Sequence, residues 1–240
     1  MTKTNDLIYL KENRKKNTKE YFKFINGKAS VLIRSTKKPR ILDVGCATGD
    51  FLYYLSQLYP EAELCGVDIL PELIDRAKSE VPVAKFFPGD IFSGRNLPGK
   101  KFDFVFMNGV HPVVTPEESD LDDYKVWFDN LLKLTGKGGW VFVFGIFNPN
   151  EADAVIKMRV SKRGSPWLLG WNLVSKKTIG DFLKRKNLKF KFYDFQIRKD
   201  IKKHKEDPLR SWTVPLKNGS RMIMNGAGIV YTLSLLAIEK

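Results

Sequence analysis

Two cysteines and two histidines are all that this 240-residue sequence holds of thiol and imidazole side chains. Cys46 lies in a glycine-containing turn and Cys65 in an apolar run, which makes neither a disulfide framework nor a zinc-ligand spacing. No metal is expected, and a reducing, cytoplasmic setting is the simplest expectation. No apolar run approaches the roughly 20 residues that a membrane-crossing helix needs, so no membrane span is expected. The opening stretch MTKTNDLIYLKENRKK has no long apolar centre and no small-residue cleavage site, which argues against a secretory signal. Internal repeats and linker-like stretches are missing as well.

Acidic residues are also in short supply, 27 against 41 Lys and Arg, for a net charge of +14. The imbalance is local. Residues 1–40 hold 12 basic and 3 acidic side chains, whereas residues 41–147 hold 9 basic and 16 acidic. Residues 148–240 are basic again, 20 against 8. Basic flanks around an acidic centre suggest an anionic partner, although lysine-rich runs are often only solvated surface.

What is present is a regular alternation of strand and helix signals. ILDVG reads as a strand and GDFLYYLSQLY as a helix closed by Pro60. AELCGVDI reads as a strand, and PELIDRAKSE as a helix opened by Pro71. PVAKFFPGD and KFDFVFMNG follow as strands, then LDDYKVWFDNLLKLT as a helix stopped by Gly136, then GGWVFVFGIF as a long buried strand. Near-continuous apolar strands separated by helices indicate a parallel sheet with helices on both faces. Residues 148–174 loosen into a short helical candidate followed by Gly, Pro and two tryptophans. SKKTIGDFLKRKN reads as a helix capped by Ser175, while KFKFYDFQI and GIVYTLSLLAIEK read as strands. Between those two strands lies a basic, turn-rich stretch, 198–227, too long for an ordinary connection. The expected organisation is a basic, partly helical extension over 1–39 and one α/β domain over 40–240.

The turn RILDVGCATGDF carries the sharpest signal. Gly45 and Gly49 stand where a strand turns into a helix, and backbone can approach a ligand closely there. A plain βα turn could look the same. The spacing Gly45–Ala47–Gly49, with Asp43 ahead of it, fits the dinucleotide fingerprint poorly. It resembles the first motif of class I S-adenosylmethionine-dependent methyltransferases, with Ala47 in place of the middle glycine. The resemblance continues in chain order across about residues 40–147. Asp68, followed by Ile69, ends the second strand, where the family's acid accepts the ribose hydroxyls. Asp90 and Ile91 follow the third, where an acid and the next backbone N–H face the adenine edge. Asn108, ahead of Gly109, Val110 and His111, ends the fourth, the family's usual place for catalytic or acceptor-contacting groups.

That resemblance implies a Rossmann-like, seven-stranded, mostly parallel sheet with an antiparallel last strand, and S-adenosylmethionine as cofactor with S-adenosylhomocysteine as product. His111 is the candidate general base, since imidazole titrates near neutrality, and Asn108 is its catalytic neighbour. A plain loop histidine held by Pro112 is the competing reading. The segments 148–174 and 198–227 are expected to wall the acceptor pocket. There Trp167, Trp171 and Trp212 would be apolar faces, and Arg159, Arg163, Arg210 and Arg221 anion contacts. The expected reaction is methylation, in the first instance on oxygen, of a small phosphorylated or carboxylated metabolite or nucleotide sugar. An RNA methyltransferase using the basic flanks is the alternative, weakened by the few aromatics interleaved with the basic runs. A non-catalytic binding domain is the third reading.

Overall fold

A computed structural model describes residues 9–10, 18–110, 123–148, 152–158, 168–203, 211–224 and 230–240. His111, Arg159, Arg163, Trp167 and Arg210 lie outside the described residues. The chain divides into two compact units, one of residues 1–110, 124–144 and 237–240, the other of 111–123 and 145–236.

The first unit begins with helix α1 (Glu20–Ser35), whose buried residues Phe22, Ile25, Ala29 and Ile33 recur at helical spacing. Strand β1 (Arg40–Val44) leads into α2 (Asp50–Leu58), β2 (Glu63–Asp68) into α3 (Pro71–Glu80), and β3 (Lys85–Pro88) and β4 (Phe102–Asn108) follow. Helix α4 (Asp123–Leu134) runs without a break into β5 (Thr135–Phe147). The helix therefore stops just before Gly136. Strands β1, β2, β3, β4 and β5 pair in parallel, with β1 at the centre between β2 and β4. Their near-continuous apolar sequences are explained by burial: Ile41, Leu42, Cys65, Val105, Phe106 and Val141 are all enclosed. Helix α1 joins this core through Tyr21, stacked on Phe144 at 5.0 Å, and through Phe22 against Phe51. The Tyr59 hydroxyl donates to Asn26 Oδ1 at 2.6 Å. Each large apolar side chain buried here contributes on the order of 2 kcal/mol.

The second unit contains β6 (Ala154–Met158), β7 (Leu168–Leu173), α5 (Lys176–Arg185), β8 (Lys189–Asp194), β9 (Trp212–Pro215), β10 (Arg221–Met224) and most of β11 (Val230–Glu239). Helix α5 is capped as its sequence suggests, with the Thr178 N–H donating to Ser175 Oγ at 3.0 Å. Residues 154–158 are not the short helix expected of 148–174. They form a strand that pairs antiparallel with β7, across a register shift between Ile156 and Lys157. Part of the turn-rich stretch 198–227 likewise forms the antiparallel pair β9–β10.

The main sheet has the order β3-β2-β1-β4-β5-β11-β10-β9, with β8 also pairing β11. Strand β11 is the antiparallel last strand: its Lys240 end exchanges bonds with Gly138 and Gly139 at the start of β5, and Thr232 reaches Phe147 at its end. The seven expected strands are thus β1 to β5, β8 and β11, and β9–β10 extend the sheet to nine. Among the described residues no helix is long and apolar enough to cross a membrane.

Candidate active site

The carboxyl ends of β1, β2 and β4 lie side by side because Val44 pairs with both Val67 and Met107. The N–H groups of Gly45 and Cys46 both donate to the Val67 carbonyl, at 2.8 and 3.0 Å, which curls the chain away from the sheet at once. Gly45, Ala47 and Gly49 all take positive φ, 70°, 47° and 82°. Ala47 therefore occupies a left-handed conformation that a glycine adopts without strain. At Gly45 the requirement is steric as well. A Cβ there would stand 2.1 Å from Val110 Cγ2, so Val110, and not only a ligand, demands the glycine.

Asp68 ties this turn to the next one. Its Oδ2 accepts from the Ala47 N–H at 2.9 Å and its Oδ1 from the Leu70 N–H at 3.0 Å, with the residue 9% exposed. The short-range bond to Leu70 is the turn-forming role open to any aspartate before a helix. The bond to Ala47, 21 residues away in sequence, fixes the carboxylate against the glycine turn. Ile69 beside it is 58% exposed, an apolar side chain left in the open at a strand end.

Asp43 is 2% exposed and accepts from Asn108 Nδ2 at 3.3 Å. Burial pushes its carboxyl well above the usual carboxylate range, the charges of Asp68 and then Asp50 add to the effect, and the Asn108 bond opposes it. Asn108 Oδ1 is buried with no partner among the described residues. Cys46 is buried, and its thiol is pushed well up by that burial and by the charges of Asp43 and Asp68. It stays a thiol and packs as a small apolar residue, not as a nucleophile.

After β3 the chain forms a tight loop. The Asp90 N–H donates to the Arg95 carbonyl at 2.9 Å, and Asp90 Oδ1 accepts from the Phe92 N–H at 2.9 Å. The structure thus brings Asp43, Gly45, Ala47, Gly49, Asp68 and Asn108 together at adjoining strand ends. It places Ile69 just past β2, and Asp90 and Ile91 just past β3.

The residues expected to meet the acceptor belong to the second unit. Arg221 is engaged within it: Nε donates to Thr213 Oγ1 at 2.9 Å and the guanidinium pairs with Asp200. Trp212 opens β9 under the Lys203 ammonium, 5.0 Å from its ring centroid. Trp171 sits on β7 opposite Ile156. Sequence reasoning passed over Asp50 and Asn130, and named Val110 only within the run that follows β4. Asp50 was legible as the first residue of an amphipathic helix, and Asn130 as a polar residue at core-facing spacing in α4. Val110 gave no signal.

Comparison with known proteins agrees with this geometry. Residues 41–139 match the family described as methyltransferase domain. A malonyl-[acyl-carrier protein] O-methyltransferase of Ilyobacter polytropus is 28% identical over 121 residues, 49% of this chain and 42% of that protein. A trans-aconitate 2-methyltransferase of Escherichia coli is 35% identical over 68 residues, 28% of this chain and 26% of that protein. The chain thus spans less than half the length of these curated relatives. In fold it is similar to an amino pentose methyltransferase of Micromonospora echinaspora (TM-score 0.54, 13% identity, 97% of each chain). It is also similar to an S-adenosylmethionine-dependent methyltransferase of Clostridium acetobutylicum (TM-score 0.55, 15% identity, 98% of this chain and 94% of that one). Residues 41–139 of this chain thus match a methyltransferase-domain family, on a fold shared with S-adenosylmethionine-dependent methyltransferases.

Proposed function

We propose that the protein transfers the methyl group of S-adenosylmethionine to an oxygen of a small anionic acceptor. The observation that carries the reading is the buried Asp43. The charges acting on it, from Asp68 and Asp50, have its own sign, and the neighbouring Asn108 Oδ1 has no partner among the described residues. An acceptor-rich, acidic strand end of this kind fits a ligand that brings ammonium and sulfonium charge. When bound, S-adenosylmethionine supplies an electrophilic methyl on a cationic sulfur. Asp68, which accepts at both oxygens, is the carboxylate we assign to the ribose hydroxyls, since each carboxylate oxygen can accept more than one bond. Ile69 would cover an apolar ring face. The role left to the protein is alignment and exclusion of water.

Two features support an anionic oxygen acceptor. The names of two relatives, a malonyl-[acyl-carrier protein] O-methyltransferase and a trans-aconitate 2-methyltransferase, refer to carboxylate-bearing molecules, and one of them is an O-methyltransferase. Residues 148–240 are strongly basic. A carboxylate acceptor needs no general base; a hydroxyl acceptor needs one, and His111 is the residue we assign to it.

The test is turnover of methyl-labelled S-adenosylmethionine with a panel of di- and tricarboxylates, sugar phosphates and total RNA. Label in a small acid, released as methanol by mild alkali, is the expected result and identifies a methyl ester. Base-stable label on a small molecule points to a hydroxyl acceptor. Label in RNA overturns the proposal.

A further inference from the structure

Asn130 is one of the buried polar side chains of the first unit that the site described so far leaves without a role. Asn130 lies on the packed face of α4, 8% exposed, among Trp127, Phe128 and Leu131. A buried carboxamide is costly unless it is hydrogen-bonded, and this one is bonded away from its own helix. Its Nδ2 donates to the Ile91 carbonyl at 2.7 Å, a bond that is itself buried. The other end of the same peptide group, the Phe92 N–H, donates to Asp90 Oδ1 at 2.9 Å. A peptide whose carbonyl accepts a hydrogen bond is polarised into a stronger N–H donor, so the two bonds reinforce each other.

We propose that Asn130 is a positioning residue that, through the Ile91–Phe92 peptide group, holds the Asp90 carboxylate in the orientation that reads the amino edge of adenine. The proposal rests on the cofactor reading above. With Oδ1 bound inside the loop, Oδ2 carries among the described residues only a long pairing with the exposed Arg95, at 4.0 Å, which a ligand's amino group would displace. Loop and helix are fitted to each other. Ile91 is 5% exposed, and a Cβ at Gly94 would stand 3.4 Å from Asn130 Nδ2, so the loop backbone already lies against the carboxamide. Asn130 touches no ligand in this scheme. It acts on the base only through Asp90.

Base discrimination separates this role from a purely structural one. Adenine presents an amino group at C6, which donates to a carboxylate; hypoxanthine presents a carbonyl there, which a carboxylate repels. Affinities for S-adenosylhomocysteine and S-inosylhomocysteine are measured by calorimetry in the wild type and in Asn130→Asp, which keeps the volume but loses the donor. Asn130→Leu is the second variant; it keeps the volume with no donor at all and serves if Asn130→Asp does not fold. The wild type is expected to prefer the adenosyl ligand by on the order of tenfold or more, the worth of one charge-assisted bond. The variants should narrow that ratio to within about threefold, while Asp90→Asn narrows it alone and Asn130→Asp adds nothing further to Asp90→Asn. A folded Asn130 variant with lower thermal stability and an unchanged ratio would overturn the assignment and leave the cofactor reading standing. A wild type that binds both ligands equally overturns the assignment at Asp90, and with it this one. A wild type that binds neither overturns the cofactor reading itself.

Discussion

The two ends of strands β1, β2 and β4 carry opposite electrostatics. At the amino ends, charges meet their complements. Arg40 Nη2 lies 3.1 Å from Asp103 Oδ1, the Arg40 N–H donates to Asp103 Oδ2 at 2.8 Å, and Lys100 pairs with Glu63. Burial pushes the Asp103 carboxyl up, but the Arg40 bonds and charge together outweigh it and hold the group below the usual range. Glu63 is pulled down by its Lys100 bond. At the carboxyl ends of the same strands, Asp43 is pushed up by burial and then by the like charges of Asp68 and Asp50, against the Asn108 bond. The amino end balances its charge within the fold. The carboxyl end gathers like charges, the asymmetry on which the proposed cofactor site rests.

The largest expected effect is at Gly45. Gly45→Val combines a disfavoured φ with a clash on Val110, and should cost about 3 kcal/mol or more of stability. A large drop in melting temperature is the readout, and an unchanged one breaks the account of the turn. Next, Asp68→Ala should weaken S-adenosylhomocysteine binding by about 2 kcal/mol, or roughly thirtyfold, through loss of charge-assisted bonds. Calorimetry on the folded variant decides it.

Asp43 sharpens the comparison through pH. Its raised folded-state value means that the fold favours the neutral acid, so its contribution is fully present at low pH. That contribution declines as pH climbs above the ordinary carboxylate value of about 4 towards the raised one. Asp43→Asn should remove that decline, so its stability relative to the wild type improves as pH rises above about 4 in denaturant melts. A parallel pH profile in the two proteins would show Asp43 to be ionised already. The smallest effect is at the amino end. Arg40→Ala should cost about 1 kcal/mol or less, since both partners are partly exposed, and should leave S-adenosylhomocysteine affinity unchanged. The Asp103 contribution runs the other way with pH, present above the ordinary carboxylate range and lost as pH falls through its lowered value. An affinity change in Arg40→Ala would mean that the two ends are coupled.

Legibility followed range in sequence. The turn at Gly45–Gly49, the acids Asp43, Asp68 and Asp90, and the helix cap at Ser175 were readable because strand period, helix period, caps and turns are written within a few residues of each other. The strand at Ala154–Met158 was misread as a short helix because its ladder is made with Leu168–Leu173, well beyond any local window. Arg221 looked like a free anion contact because Asp200 and Thr213, which engage it, are joined to it only by the folded hairpin.

By itself the sequence determined the order of strands and helices as far as β5, the acidic character of the strand ends and the kind of turn that begins the site, since each depends on local periodicity and backbone preference. Only the tertiary structure decided that Val110 rests on Gly45, that Asp68 reaches back to the Ala47 N–H, and that Asn130 holds the loop after β3. Those contacts join residues 21 to 65 positions apart. They form only when parallel pairing brings the strand ends together, and no local preference encodes that convergence.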